Sequence, residues 1–222
     1  EELKKLKKGK KHYSKDLLKL RDNICKQLKE KYKKDIEVNI LADLIDIDEN
    51  SEVWRNAVEG YLGNQKFNLI IEPEYFMDAY YIYKNMRKEI YSFGIVDCER
   101  ILNAKKSNAD NSLADVVVTD NKYADAYIKY LLGRVSRCKD DEEIRKYNIG
   151  ITSECMLYQG FTVRAINPEN YKIHYIGNRA IEQQIKYREQ QLVNLTDNLT
   201  VIKNIFDAYN SLTENTLFMN DE

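Results

Sequence analysis

Residues 68–86, NLIIEPEYFMDAYYIYKNM, and residues 115–133, DVVVTDNKYADAYIKYLLG, are the stretches on which the fold turns. Laid over each other at a shift of 47, they put Ile71 on Val118, Phe76 on Tyr123, Asp78-Ala79-Tyr80 on Asp125-Ala126-Tyr127 and Tyr83 on Tyr130. Each copy runs from a short apolar strand through a polar turn into an amphipathic helix with aromatic residues on its inner face. Such a unit cannot bury its own apolar side, so its repetition predicts two similar α/β subdomains. The expected fold class is α/β (α+β), with related halves near 35–102 and 113–177.

The surroundings extend this pattern. Val38 to Ile47 alternates loosely and predicts a strand. Trp54, Ala57, Val58, Tyr61 and Leu62 recur at helical spacing, with Ser51 as the expected N-cap and Gly63 as the stop. Phe67 to Ile71 reads as a buried strand ending at Pro73, Tyr75 to Tyr91 as a helix, and Ile95-Val96 as the start of another strand. Residues 103–112 are polar and turn-rich, as an exposed loop requires. Val116-Val117-Val118 is the strongest strand signal. Gly150 to Thr152, Met156 to Tyr158 and Phe161 to Ile166 predict a hairpin or meander, with Gly160 between the last two runs.

Helical arms flank this body. Leu17, Leu20, Ile24 and Leu28 fall on one helical face of a segment, 1–34, that has no Pro. Ile181, Ile185, Arg188, Leu192, Leu195, Leu199, Ile202, Phe206 and Tyr209 alternate spacings of four and three, the seam of a coiled coil. Residues 1–34 carry 14 Lys/Arg against 5 Asp/Glu, and 181–222 carry 3 against 7. Opposite surpluses and two seams predict that arms 1–34 and 178–222 pair antiparallel, leaving 35–177 as a knob at their tip.

Composition narrows the function. The chain has 222 residues, is 43% hydrophobic and 32% charged, and has a net charge of −1, so no partner follows from global charge. Cys25, Cys98, Cys138 and Cys155 show no C-x-x-C spacing and read as free thiols of a reducing cytosol. No apolar run is long enough to span a membrane. The chain opens without Met and reads as a piece of a longer protein. Gly9-Lys10-Lys11 lacks the rest of a phosphate-binding loop, and His12 and His174 are too scattered from the cysteines for a zinc site. The carboxylates Asp43, Asp46, Asp48 and Glu49 read as a solvated loop rather than a nuclease metal site. Tyr75, Tyr80, Tyr81 and Tyr83 read as packing residues, and His174 as a packed or rim residue. No catalytic, cofactor or metal residue is assigned.

Trp54, Ala57, Val58, Glu59, Leu62 and Gly63 match W-x-x-A-(I/V)-E-x-x-L-G, and LADLIDIDENSEVWRNAVEGYLGNQKFNLIIEPEYFMDAYYIY resembles the hinge of MukB-like and MksB-like SMC proteins. It resembles most the SMC subunit, JetC, of Wadjet-type anti-plasmid systems. VVVTDNKYADAYIKYLLGRV, ITSECMLYQGFTVRAINP and YIGNRAIEQQI resemble the same family in the same order, so the similarity spans about 38–190. The resemblance implies a homodimerising hinge at the end of a long antiparallel coiled coil, in the bacterial cytoplasm. ATPase heads with ATP and Mg, a kleisin and further SMC-complex subunits would lie outside this segment. The complex would entrap or extrude double-stranded DNA, in anti-plasmid defence. The glycines that mark conventional hinge seams are reduced here to Gly133, Gly150, Gly160 and Gly177 in the second half.

The expected dimer surface is the strand-edge region of Gly150, Ile151, Met156, Tyr158, Gly160 and Phe161, meeting the first half of another copy. Candidate phosphate contacts are Lys105, Lys106, Arg134, Arg137, Lys139, Arg164, Lys172 and Arg179, beside the Lys-rich N-terminal arm. The runner-up reading is a direct DNA-binding module of a chromosome-organising condensin of the MukB/MksB type. A nuclease fragment is the weakest.

Overall fold

A computed structural model describes residues 2–9, 11–105, 108–177 and 179–218. Lys106 and Lys10 therefore lie outside the described residues. The N-terminal segment is two helices: α1 (Glu2–Leu6) and α2 (Lys15–Tyr32), with Gly9 at φ 77 between them. Ser14 caps α2 by accepting from the Leu17 N–H at 3.3 Å, and Lys33 closes it in the left-handed region.

The body begins with β1 (Asn39–Ile40), a helical turn α3 (Leu41–Leu44) and β2 (Asp46–Ile47). The single strand expected over 38–47 is thus two, separated by the helical turn at Leu41–Leu44. A 3-10 turn at Glu49–Trp54 leads into α4 (Arg55–Leu62). Asp48, not Ser51, caps this start, accepting from the Asn50 N–H at 3.0 Å. Gly63 ends α4 at φ 51, as the sequence predicts.

The two repeats follow as read. β3 (Leu69–Ile70) leads through a Pro73 turn to α5 (Phe76–Met86). The short helix α6 (Cys98–Leu102) comes before the loop to the second copy. There β4 (Val117–Val118) leads through Asn121, which accepts from the N–H groups of Tyr123 and Ala124, into α7 (Lys122–Leu132). β1 pairs antiparallel with β3, and β2 with β4, so the segment 39–47 supplies one strand to each copy. Ile95 contributes only a bridge to Leu69 rather than the expected strand.

A four-stranded sheet completes the body: β5 (Ser136–Cys138), β6 (Ile149–Thr152), β7 (Met156–Gln159) and β8 (Thr162–Ala165), in that order across the sheet. β5 and β6 are parallel, and the other neighbours are antiparallel. The chain then crosses back over α4 and enters α8 (Arg179–Phe218), 40 residues or about 60 Å long.

One continuous core runs through both repeats and the sheet, from Tyr13 to Ile176. It includes Leu17, Leu20, Ile24 and Leu28 of α2, each at most 1% exposed. This corrects the expected N-terminal arm. The stripe read as a coiled-coil seam is the inner face of a body helix packed on α5. Only α1 joins α8. Lys7 pairs with Glu189 at 3.0 Å while the His12 N–H donates to Gln184 at 3.0 Å, so the two segments run antiparallel. Cys98, Cys138 and Cys155 are buried and Cys25 is half-buried, all as free thiols.

Candidate functional site

Two features of the body carry functional weight: the root from which α8 leaves, and the open edge of the sheet. The root is built on a charge that the sequence hides in an apolar face. Glu59 is 0% exposed, and its Oε1 accepts from the backbone N–H groups of Tyr175 at 2.6 Å and Ile176 at 2.8 Å. Its Oε2 faces the Lys66 ammonium at 2.6 Å, and Lys66 is only 2% exposed. Lys66 also donates to the carbonyl of Asn170 at 2.6 Å and lies 5.4 Å from the Tyr175 ring centre. A buried pair is tolerated when hydrogen bonds accompany the charge contact; here the backbone N–H groups of Tyr175 and Ile176 serve Glu59 Oε1, and the carbonyls of Asn170 and Glu59 accept from Lys66.

A second cation tightens the same strap. Arg55 donates to the Ile176 carbonyl at 2.7 Å and clasps Glu52 at 2.7 and 2.8 Å. The hydrogen bond from Arg55 holds the Glu52 carboxyl below the usual carboxylate range. Gly177 then passes so close that a Cβ would sit 1.8 Å from Asp46 Oδ1, at φ 75. No other residue fits there.

The N-terminal segment is bound into this root. Tyr13 donates to Asp43 at 2.6 Å, and Lys11 pairs with Asp43 at 3.0 Å and donates to the Ala42 carbonyl at 3.0 Å. Burial, and then the Asp43 charge, push the Tyr13 phenol far up, so it stays a donor. Gln184, 2% exposed, accepts from the His12 N–H and donates to the His174 carbonyl at 2.8 Å. His174 Nε2 meets Asn56 Oδ1 at 2.8 Å, and its Nδ1 is buried without a partner among the described residues. Burial lowers the His174 pKa. Asp43 and Asp46, read as solvated, are therefore structural groups of the root.

The sheet edge is of opposite character. β8 is exposed along its length and pairs only with β7. Gly160 and Phe161 form the two-residue turn between them, both at positive φ (59 and 64). Phe161 is 95% exposed and Val163 53%. Beside this edge lies a groove of about 530 Å³ lined by Tyr61, Gln65, Arg134, Gln159, Arg164 and Asn170 among others, with no carboxylate.

No protein-family profile matches the sequence, and no curated protein matches it. Solved structures do. An asymmetric dimer of the Geobacillus stearothermophilus SMC hinge domain matches with TM-score 0.52 at 13% identity, covering 91% of this chain and 82% of that one. The folded elbow of cohesin matches with TM-score 0.51 at 14% identity, covering 91% of this chain and 30% of that one. The Pyrococcus furiosus SMC protein hinge domain, 23% identical, covers 67% and 86% at TM-score 0.47. The fold is that of an SMC hinge.

On this hinge fold the sequence-predicted residues separate. Gly150 and Ile151 are interior; a Cβ on Gly150 would sit 2.8 Å from the Ile144 carbonyl oxygen, so neither residue is open to a partner. Met156 and Tyr158 are half-buried on β7, and Gly160 and Phe161 are fully presented. Of the basic residues, Arg137 donates to the Asn111 and Ser112 carbonyls and lies over the Trp54 ring. Lys172 pairs with Glu169, and Arg179 with Glu49 and Glu52. Lys105 and Lys139 are exposed on loops. Arg134 and Arg164 meet at Tyr61 in the groove. The sequence did not single out Glu59 and Lys66 as a pair. The available signal was a carboxylate inside AVEGYL, where the helical face is otherwise apolar.

Proposed function

We propose that this chain is the homodimerising hinge of an SMC-like ATPase subunit that entraps or extrudes DNA, in anti-plasmid defence of the Wadjet type. The observation that carries the reading is the root: α1 and α8 leave the body side by side and antiparallel, held by Gln184, Lys7 and Glu189. Above it, Leu192, Leu195, Leu199, Ile202, Phe206 and Tyr209 are 52–64% exposed along one stripe of α8. A helix laid along α8 in the direction of α1 would cover that stripe as a coiled coil. The exposed β8 edge supports self-association, since an unpaired strand accepts a partner strand.

Light scattering on this chain is expected to give a dimer, and Phe161→Ser with Val163→Lys a monomer of unchanged melting temperature. A strict monomer at high micromolar concentration would remove the hinge reading. The second reading, direct binding of duplex DNA, draws on Arg134 and Arg164. It expects affinity that falls steeply with salt, and no binding at low salt would end it.

A further inference from the structure

The molecule carries a second groove, of about 350 Å³, between the end of α2 and the polar turns of both repeats. Its buried lining includes Ile70, Ile71 and Tyr75, and its exposed lining includes Glu37, Glu72 and Glu74. Asp35 also lines it, against one cation, Lys34. The first groove has two arginines and no carboxylate; the second has four carboxylates and one ammonium. A chain of net charge −1 has thus sorted its charge between two concavities.

The hairpin next to the basic groove has the shape that the acidic one lacks. Phe161 stands at its tip, 95% exposed, in a left-handed conformation that a bulky side chain avoids. Neither burial nor backbone preference within this chain accounts for an aromatic residue there. An exposed aromatic anchor beside arginines, facing an apolar floor with an acidic rim, is how interface hot spots are composed.

We infer that the β7–β8 hairpin of one copy docks on the acidic groove of a second copy, with Phe161 on its apolar floor and Arg134 and Arg164 against its carboxylates. Two-fold symmetry makes the contact twice, basic groove to acidic groove in each direction, which closes the dimer and fixes which half meets which. This rests on the homodimer reading above and adds the charge code that sets its register. Of the four carboxylates, Glu72 accepts from the Tyr123 hydroxyl at 2.6 Å and Asp35 pairs with Lys29 at 2.6 Å, whereas Glu74 lies 3.8 Å from Lys34 and Glu37 accepts from Asn39 at 3.5 Å. Glu37 and Glu74 are the two that can turn to a stronger cation.

The test is a charge swap on this chain, followed by sedimentation equilibrium with two distinguishable tags. R134E/R164E and E37K/E74K are each expected to weaken the homodimer by about 100-fold or more, because like charges then face each other twice. Circular dichroism is expected to show both variants folded, since all four side chains are exposed. Mixed together, they are expected to form a heterodimer of near-parental affinity, in which every contact is again between opposite charges. F161A, with no charge altered, is expected to weaken the parental dimer by about 10-fold or more. A parental dimer with either swap variant within about three-fold of its affinity overturns the charge code and leaves the hinge reading standing, as does a mixture that fails to restore pairing. Retained dimerisation with lost duplex-DNA affinity in R134E/R164E also overturns it, and assigns the basic groove to phosphate instead. A parental monomer is the separate failure of the hinge reading.

Discussion

The apolar stripes of α2 and α8 read alike in the sequence and end in opposite places. Leu17, Leu20, Ile24 and Leu28 are at most 1% exposed, closed into the core beneath α5. Leu192, Leu195, Leu199 and Ile202 are 52–61% exposed. Periodicity reports that a helix has an apolar face. What covers that face depends on the direction in which the chain leaves, and periodic spacing does not decide it: the break at Gly9, Ser14's cap and the turn at Lys33 fold α2 back onto the body, while the clasp of Glu59, Lys66 and Arg55 aims α8 away from it.

The largest expected effect sharpens that contrast directly. Ile24→Asp places an unpaired carboxylate in a fully buried site, a loss of about 5 kcal/mol or more, which should abolish cooperative unfolding. Ile202→Asp, at a position 61% exposed, should leave the melting of the body within about 0.5 kcal/mol of the parent. Thermal denaturation followed by circular dichroism compares the two, and equal losses would mean that α8 is packed as α2 is. Next in size is the root. Glu59→Gln leaves the Lys66 ammonium buried alone and is expected to cost about 3–5 kcal/mol in urea unfolding. Adding Lys66→Met should recover part of this, since both partners are then neutral; a single variant as stable as the parent would remove the pair from the root's stability.

The smallest effect is a pH dependence of the same root. His174 is held neutral by burial, with Glu59, Arg55, Lys66 and Glu52 as the charged groups around it. Its folded pKa lies below the ordinary 6.5, so the unfolded chain takes up the proton first on acidification. The stabilisation is whole above about pH 6.5 and declines as pH falls through and below that value. Melting temperatures between pH 7.5 and 5 should drop more steeply for the parent than for His174→Gln; parallel slopes would show that other groups set the acid response.

Much of the fold was legible because local chemistry wrote it. The repeat gave two strand-turn-helix units at 69–86 and 117–132, Gly63 stopped α4, and Gly160 marked the last hairpin. The open edge at Gly160-Phe161 was also visible, since a turn flanked by alternating residues predicts a hairpin. Less was legible where one position serves two purposes. Val38 to Ile47 alternates like one strand but splits to feed both repeats, a division that only the pairing partners β3 and β4 impose. Asp43 and Asp46 look like loop acids until Tyr13, Lys11 and Arg55 arrive from elsewhere in the chain.

The sequence by itself determined the alternation of apolar and polar positions, the turn residues, and the existence of two faces that water would not be left to cover. These depend on neighbours a few residues apart, within reach of local sterics and hydrogen bonding. Only the tertiary structure decided that one helix belongs to the core and the other leaves it, that Glu59 finds Lys66 and the 170–177 strap, and that Arg134 and Arg164 share a groove while Arg137 and Arg179 do not. The root as a whole joins residues as distant as His12 and Gln184, 172 positions apart. Contacts at that separation have no local signature, because their free energy appears only once the intervening chain has been ordered.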